Sequence, residues 1–337
     1  MLRHSSDEEP GYSRKRQGRY WAYFDEHGKR ITKRDTIDRL NGIGLPPAYR
    51  DAWFCKDDNG HLQATGIDDR GRKQYRYHPD FRARADKKKF SGLIEFGECL
   101  PNLRKRVEKD LGERKLSREK VVAAVVRLLD TEYLRIGNDR YARENKSFGV
   151  TTLLCRHVRT DGGKVKMRFK GKHGKLKEVT ITDRRLRRIV TKCKDLPGQA
   201  LFQYINGDGE PHAINSADVN DYIRDTCGCD FTAKHFRTWG ATVIAFEQML
   251  DAAEEEKKIS VKTVLEPAAE ALGNTVAISR KSYVHPRLIE AVKSDPRNPL
   301  GDFDRPRERK WQSSTELALL DFLQKRRRQR KGKSAAG

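Results

Sequence analysis

The chain has 337 residues, 71 Lys and Arg against 48 Asp and Glu, and a formal net charge of +23. That length suits one large domain or two ordinary ones, and the 13 Phe, 11 Tyr and 4 Trp supply core material that a disordered chain lacks. No apolar run reaches the roughly 18 residues of a membrane span, and the polar start has no signal-peptide core. The expectation is a soluble, intracellular, strongly basic protein whose charge seeks a polyanion, because each Lys or Arg that neutralises a duplex phosphate releases a counterion.

Residues 1–18 are polar and are expected to be disordered. Tyr20–Phe24 reads as a strand before the turn at Asp25–Gly28, and a short helix is expected near Thr36–Asn41. Trp53–Cys55 ends at Asp57-Asp58-Asn59-Gly60, where Asn-Gly marks a hairpin turn. His61–Gly66 and Gln74–Tyr77 continue a meander, giving a small β-rich domain over 19–88. Pro79–Lys89, dense in Arg and Lys, reads as a linker.

After Lys89 the pattern turns helical. Ser117 caps a helix whose Val121, Val122, Val125, Leu128 and Leu129 share one face, ending near Ile136-Gly137. Val165–Phe169 and Leu176–Ile181 alternate with period two around Gly171-Lys172-His173-Gly174, a hairpin with a basic tip. Asp183, Ser216, Thr232 and Ser260 are expected to cap helices to about Lys194, Thr226, Leu250 and Leu272. A short helix carries Ser279–Tyr283, stopped by Pro286. Ser313-x-x-Glu316 is a capping box opening a last helix, too short over 316–323 for a membrane-surface role. The larger, mainly helical second domain spans 89–324. From Lys325 to Lys333 seven of nine residues are basic, so 325–337 reads as a disordered basic tail.

Six cysteines (Cys55, Cys99, Cys155, Cys193, Cys227, Cys229) form no C-x-x-C pair, and the nine His form no metal-ligand spacing. Free thiols and no metal or cofactor are expected.

Five motifs follow one another in order: Tyr133-Leu-Arg135-Ile-Gly-Asn138, Gly171-Lys172, Lys234-His-Phe-Arg237-Thr-Trp-Gly240, Leu272-Gly-Asn274-Thr275, and Arg280-Lys-Ser-Tyr283-Val-His-Pro286. Taken singly each is commonplace. Arg135 alone is an ordinary surface residue, Lys172 a turn lysine and Tyr283 a half-buried aromatic. In this order, with Asn274 and Tyr283 nine residues apart, they resemble the catalytic domain of type IB DNA topoisomerases, in the compact poxvirus-like branch found in bacteria. Thr65–Asp68 and Gly71–Tyr77 resemble that branch's DNA-contacting sheet, so the likeness covers roughly residues 20–295. It implies an α+β fold: a β-rich N-terminal domain plus a larger, mainly α catalytic domain with an inserted hairpin, forming a C-shaped clamp.

The resemblance also implies the chemistry. Tyr283 would attack a DNA phosphorus, form a 3′-phosphotyrosyl link and free a 5′-hydroxyl, conserving bond energy so that resealing needs no ATP. Arg135 and Arg237 would clamp the nonbridging oxygens with forked, permanently charged guanidiniums. Lys172 would protonate the leaving 5′-oxygen, a task eased if neighbouring cations lower its pKa. Asn274, where many relatives have His, would donate a hydrogen bond but carry no proton. Gln74, Tyr75, Tyr77, Tyr141 and His173 match positions facing DNA. The implied partner is double-stranded DNA, gripped by a monomer without a membrane, metal or cofactor. Swivelling of the free end would relax both supercoil signs. A tyrosine recombinase shares the Arg, Lys, Arg, Tyr logic, but His usually stands three residues before the second Arg, where this chain has Lys234. A noncatalytic basic DNA-binding protein would need the charge alone.

Overall fold

The computed structural model describes residues 1–334 apart from 162, 302 and 304, with their side chains except those of 161 and 326–334. The chain divides into two compact units, Met1–Lys89 and Phe90–Gly337.

The first unit is a five-stranded sheet in the order β2-β1-β3-β4-β5, every neighbour antiparallel. Its elements are β1 (Tyr12–Gln17), β2 (Tyr20–Phe24), α1 (Arg34–Gly42), β3 (Arg50–Phe54), β4 (Leu62–Ile67) and β5 (Lys73–Tyr77). Tyr23, Leu40, Leu45, Phe54 and Ala64 form its core. The disorder expected over 1–18 is not found. Arg3 bridges Gly60, the buried Ser5 hydroxyl donates to the Leu62 carbonyl at 3.0 Å, and Asp7 accepts from the Thr65 hydroxyl at 2.9 Å. β1 presents no buried side chain, so hydropathy gives no sign of it. Its ladder bonds hold it, along with Arg14, which donates to the Leu45 carbonyl at 2.8 Å and lies 4.2 Å from the Trp21 ring centroid.

α2 (Pro79–Leu111) replaces the expected linker. Proline suits the first turn of a helix, where its missing N–H costs nothing, and charge density does not break a helix. The second unit continues with α3 (Arg118–Glu132), α4 (Asp139–Asn145), β6 (Val158–Asp161), β7 (Lys164–Lys170), β8 (Leu176–Ile181) and α5 (Arg184–Lys194). β9 (Gln203–Ile205), β10 (Pro211–Ala213), α6 (Ser216–Cys227), α7 (Ala233–Glu254), α8 (Val261–Leu272), α9 (Val276–Ser282), α10 (Pro286–Ser294) and α11 (Ser314–Ser334) follow. The expected hairpin is β7–β8, with β6 added in the order β6-β7-β8.

Ser117 caps α3 by accepting from the Lys120 amide. That helix stops at Glu132, four residues before the expected end, because Tyr133 turns left-handed at φ 49°. The Tyr133 ring fills the space beside Gly240, where a Cβ would lie 2.1 Å from it. Asn215, not Ser216, caps α6. Glu316 ties the unit together. It accepts from Arg104 at 2.7 and 2.8 Å and from the Trp239 indole at 2.8 Å, while Arg104 also forks onto Asp130 at 2.8 and 2.9 Å. α2, α7 and α11 are thereby joined at one buried carboxylate, and Arg104 carries the link to α3 through Asp130. Its capping box with Ser313 forms as expected.

Two further expectations are corrected. Cys99 and Cys227 form a disulfide with their Cα atoms 5.6 Å apart. The pairing joins α2 to α6 across 128 residues, a proximity that only the fold creates. Cys55, Cys155, Cys193 and Cys229 are free. The expected basic tail continues α11 in helical backbone to Ser334, as a run without Pro permits. Its side chains beyond Lys325, and residues 335–337, lie outside the described residues.

Candidate active site

Four segments of the second unit converge. Arg135 follows α3 in a strip held by Val150 N–H on the Arg135 carbonyl at 2.9 Å and Thr151 N–H on the Ile136 carbonyl at 2.7 Å. Gly137, at φ 118°, lets this strip press on Thr151, whose hydroxyl would meet a Cβ at 2.7 Å. Arg237 lies in the first turns of α7 and is buried. Asn274 follows the left-handed C-cap of α8, Gly273. Tyr283 follows α9, whose N-cap is Thr275.

These side chains meet. Arg135 Nη2 donates to Asn274 Oδ1 at 3.3 Å. Arg237 Nη2 donates to the Leu272 carbonyl at 3.0 Å and its Nη1 to the Tyr133 carbonyl. The Arg237 guanidinium carbon lies 5.3 Å from the Tyr283 ring centroid. Neither arginine pairs with a carboxylate among the described residues. Arg237 Nε and Asn274 Nδ2 are buried donors without an acceptor, and buried donors are almost always satisfied in folded proteins. A cationic cluster with spare donors beside a phenol is a site for an oxyanion.

The electrostatics agree. Burial pushes the Tyr283 phenol up, but Arg237 and then Arg135 outweigh it and hold the phenol below the ordinary tyrosine value. Burial, then Arg135, pushes the Arg237 guanidinium down to about 10, so it is still charged at neutral pH.

Thus Arg135, Arg237, Asn274 and Tyr283 are brought together, and Lys172 is not. Lys172 is exposed in the single turn Lys172–Gly174 between β7 and β8, and no hydrogen bond or ion pair ties it to the other four among the described residues. The second strand of the hairpin supplies lysines instead. Lys175 Nζ donates to the Gly273 carbonyl at 3.2 Å and Lys177 Nζ to the Ala271 carbonyl at 3.3 Å. His173, next to Lys172, is left-handed at φ 63°, an uncommon conformation for a residue with a Cβ.

Sequence reasoning also missed Thr242, one turn beyond Arg237. Its buried hydroxyl lies 2.7 Å from the Thr238 carbonyl and 3.2 Å from the Tyr283 carbonyl, and it accepts the His285 amide at 3.2 Å. It fixes the backbone on either side of Val284, immediately after Tyr283. Nothing in the sequence separates it from a core threonine. His235 is the histidine nearest the place that a recombinase would use. It packs on Phe96 and Phe231 and accepts the Thr232 amide at 3.0 Å, acting as a helix cap. Among the described residues no three His, Cys, Asp or Glu gather as metal ligands.

The positions expected to face DNA separate. In β5 Tyr75 and Tyr77 are exposed on one face, their ring centroids 6.2 Å apart. Gln74 points to the other face and donates to Asp68 at 3.0 Å, because successive strand residues alternate sides. Tyr141 is exposed on α4, whose N-cap Asn138 accepts the Tyr141 amide.

The chain is similar to known proteins. Residues 78–297 match the family model described as eukaryotic DNA topoisomerase I, catalytic core, and residues 20–68 match the bacterial DNA topoisomerase IB N-terminal domain. The chain is 31 % identical over 296 residues to DNA topoisomerase 1B of Acanthamoeba polyphaga mimivirus, covering 85 % of this chain and 88 % of the relative. It is 22 % identical over 249 residues to DNA topoisomerase 1B of vaccinia virus strain Copenhagen, covering 73 % and 76 %. A solved complex of the XerH site-specific recombinase aligns over 58 % of this chain and 50 % of its own at 15 % identity, with a TM-score of 0.36, too distant to bear on function. With the catalytic core and the N-terminal domain both matched, the chain belongs to the type IB DNA topoisomerase family.

Proposed function

We propose that this enzyme relaxes supercoiled duplex DNA by transient cleavage of one strand at Tyr283. The observation that carries the reading is the convergence of Arg135, Arg237 and the Asn274 amide on Tyr283, with two buried donors unspent. A phosphodiester is anionic and poorly electrophilic, so charge that develops on its nonbridging oxygens must meet preorganised donors. Arg135 and Arg237 supply them, and Asn274 adds an amide N–H. The same cations favour the phenolate, the form that attacks. The Tyr283 oxygen bonds to phosphorus as the P–O5′ bond breaks, and a proton reaches the leaving 5′-oxygen. Lys172 is proposed as its donor on motif position, which requires the hairpin turn to close on bound DNA. Rotation of the free end releases torsion, and attack by the 5′-hydroxyl restores the bond and frees Tyr283.

The exposed Tyr75 and Tyr77 suit contact with bases or phosphates, and Tyr141 suits a backbone contact. Gln74, held by Asp68, has to leave that bond to read a base edge, and His173 borders the turn that would close. The enzyme is proposed to act as a monomer, both units gripping the duplex as a clamp, in the cytoplasm on the nucleoid.

The test is chemical. Protein mixed with plasmid and quenched with detergent should carry DNA through a 3′-phosphate, and digestion should place the link on the Tyr283 peptide. A link at another residue would refute the assignment.

A further inference from the structure

We propose that Lys177, on the second strand of the hairpin, is a further cationic ligand of the scissile phosphate in the topoisomerase reaction. The proposal rests on the reading of Tyr283 and its arginines as the cleavage site. No motif points to this lysine, and four observations do.

First, its register is wrong for an ordinary lysine. β8 alternates, with Leu176, Glu178 and Thr180 exposed and Val179 and Ile181 buried. Lys177 shares the inward face with those two core residues. An ammonium there loses hydration, which a surface lysine never does. Second, no carboxylate offsets that loss among the described residues. Glu178, the acidic neighbour in β8, points outward and pairs with Arg168 at 2.8 Å. Lys177 Nζ donates to the Ala271 carbonyl, and one neutral acceptor among the described residues leaves two of three ammonium protons to spend.

Third, the location is specific. Ala271 is adjacent to Leu272, whose carbonyl holds Arg237. A Cβ on Gly273 would lie 3.1 Å from Lys177 Nζ, and Gly273 precedes Asn274, the partner of Arg135. A glycine there leaves the ammonium room. Fourth, burial, then Arg237, Arg135 and Lys175 push the Lys177 ammonium below the ordinary lysine value. Like charges so placed repel until an anion enters. A phosphate relieves all of them at once, and it is the anion that the Tyr283 chemistry requires.

This role differs from the one proposed for Lys172. An acid must give up its proton, whereas a phosphate ligand must keep its charge. Arginine separates the two, since it binds phosphate well and stays protonated at any working pH.

The experiment compares wild type, Lys177→Met, Lys177→Arg and Lys172→Met by single-turnover formation of the covalent adduct on plasmid DNA. Loss of the ligand should slow adduct formation by about 100-fold in Lys177→Met, with Lys177→Arg recovering to within about tenfold of wild type. In parallel, thermal unfolding is followed as inorganic phosphate replaces chloride at constant ionic strength. Phosphate should raise the wild-type midpoint, less so in Lys177→Met and equally in Lys172→Met. That second readout does not depend on cleavage. If wild type forms no adduct, the cleavage reading falls, and the phosphate response still decides whether Lys177 binds the anion. Adduct formation by Lys177→Met at near the wild-type rate, or a Lys177→Arg variant as slow as Lys177→Met, would overturn the proposal. So would a phosphate response unchanged by Lys177→Met.

Discussion

The Arg237 guanidinium stands over the Tyr283 ring with its carbon 5.3 Å from the centroid, while its nitrogens are anchored on the carbonyls of Tyr133 and Leu272. The anchors come from the end of α3 and the end of α8, so the cation is fixed by the fold and not by a counter-charge. Its charge is therefore free to act on the phenol and on a phosphate placed beside it.

Arg135 also lowers the Tyr283 phenol from its ordinary value. Removing it in Arg135→Ala should raise that value. With the phenolate as the proposed attacking form, the pH at half-maximal single-turnover cleavage should move upward. The maximal rate should fall by about 100- to 1000-fold, as for loss of one oxyanion donor. An unshifted pH profile would mean that Arg135 does not face the phenol.

Gly240 is predicted to tolerate no side chain. A Cβ would lie 2.1 Å from the Tyr133 ring, so Gly240→Ala should cost about 1–3 kcal/mol in urea unfolding. Cleavage should fall as well, since the displaced Tyr133 carbonyl anchors Arg237. Trimming the ring in Tyr133→Leu with Gly240→Ala should restore part of both. Failure of the double variant to improve on the single one would count against the clash.

Glu316 should dominate the stability of the second unit. Burial raises its carboxyl, but Arg104 foremost among its partners holds it below the ordinary glutamate value. Its stabilisation is therefore present above the usual carboxylate range and is lost as acid protonates it. Glu316→Ala leaves Arg104 and the Trp239 indole short of an acceptor and should cost about 3–5 kcal/mol. The variant should also lose part of the decline in stability that wild type shows as pH falls through the carboxylate range.

Most strands and helices could be read from the sequence, because caps and periodicity are local. Ser117, Asp183, Ser260 and the Ser313–Glu316 box each cap the expected helix. β1 was illegible, since a strand of Tyr, Ser, Arg, Lys and Gln buries no side chain. The end of α3 was misplaced because the contact that stops it, Tyr133 against Gly240, is made across 107 residues. The motifs did name the four side chains that the fold brings together, since the spacing of Asn274 and Tyr283 follows from one helix end and one short helix. Lys177 was not, although its inward register could have been read from the alternation around Val179 and Ile181. Thr242 acts through backbone geometry, which leaves no mark in composition.

The most direct test is relaxation of negatively and positively supercoiled plasmid, in chelator and without ATP, by wild type and Tyr283→Phe. The Phe variant keeps the ring beside Arg237 and loses only the phenolic oxygen, the proposed nucleophile. The account predicts that wild type relaxes both substrates and that the variant binds DNA but relaxes neither. Relaxation that survives in Tyr283→Phe, or its absence in a folded, DNA-binding wild type, would contradict it.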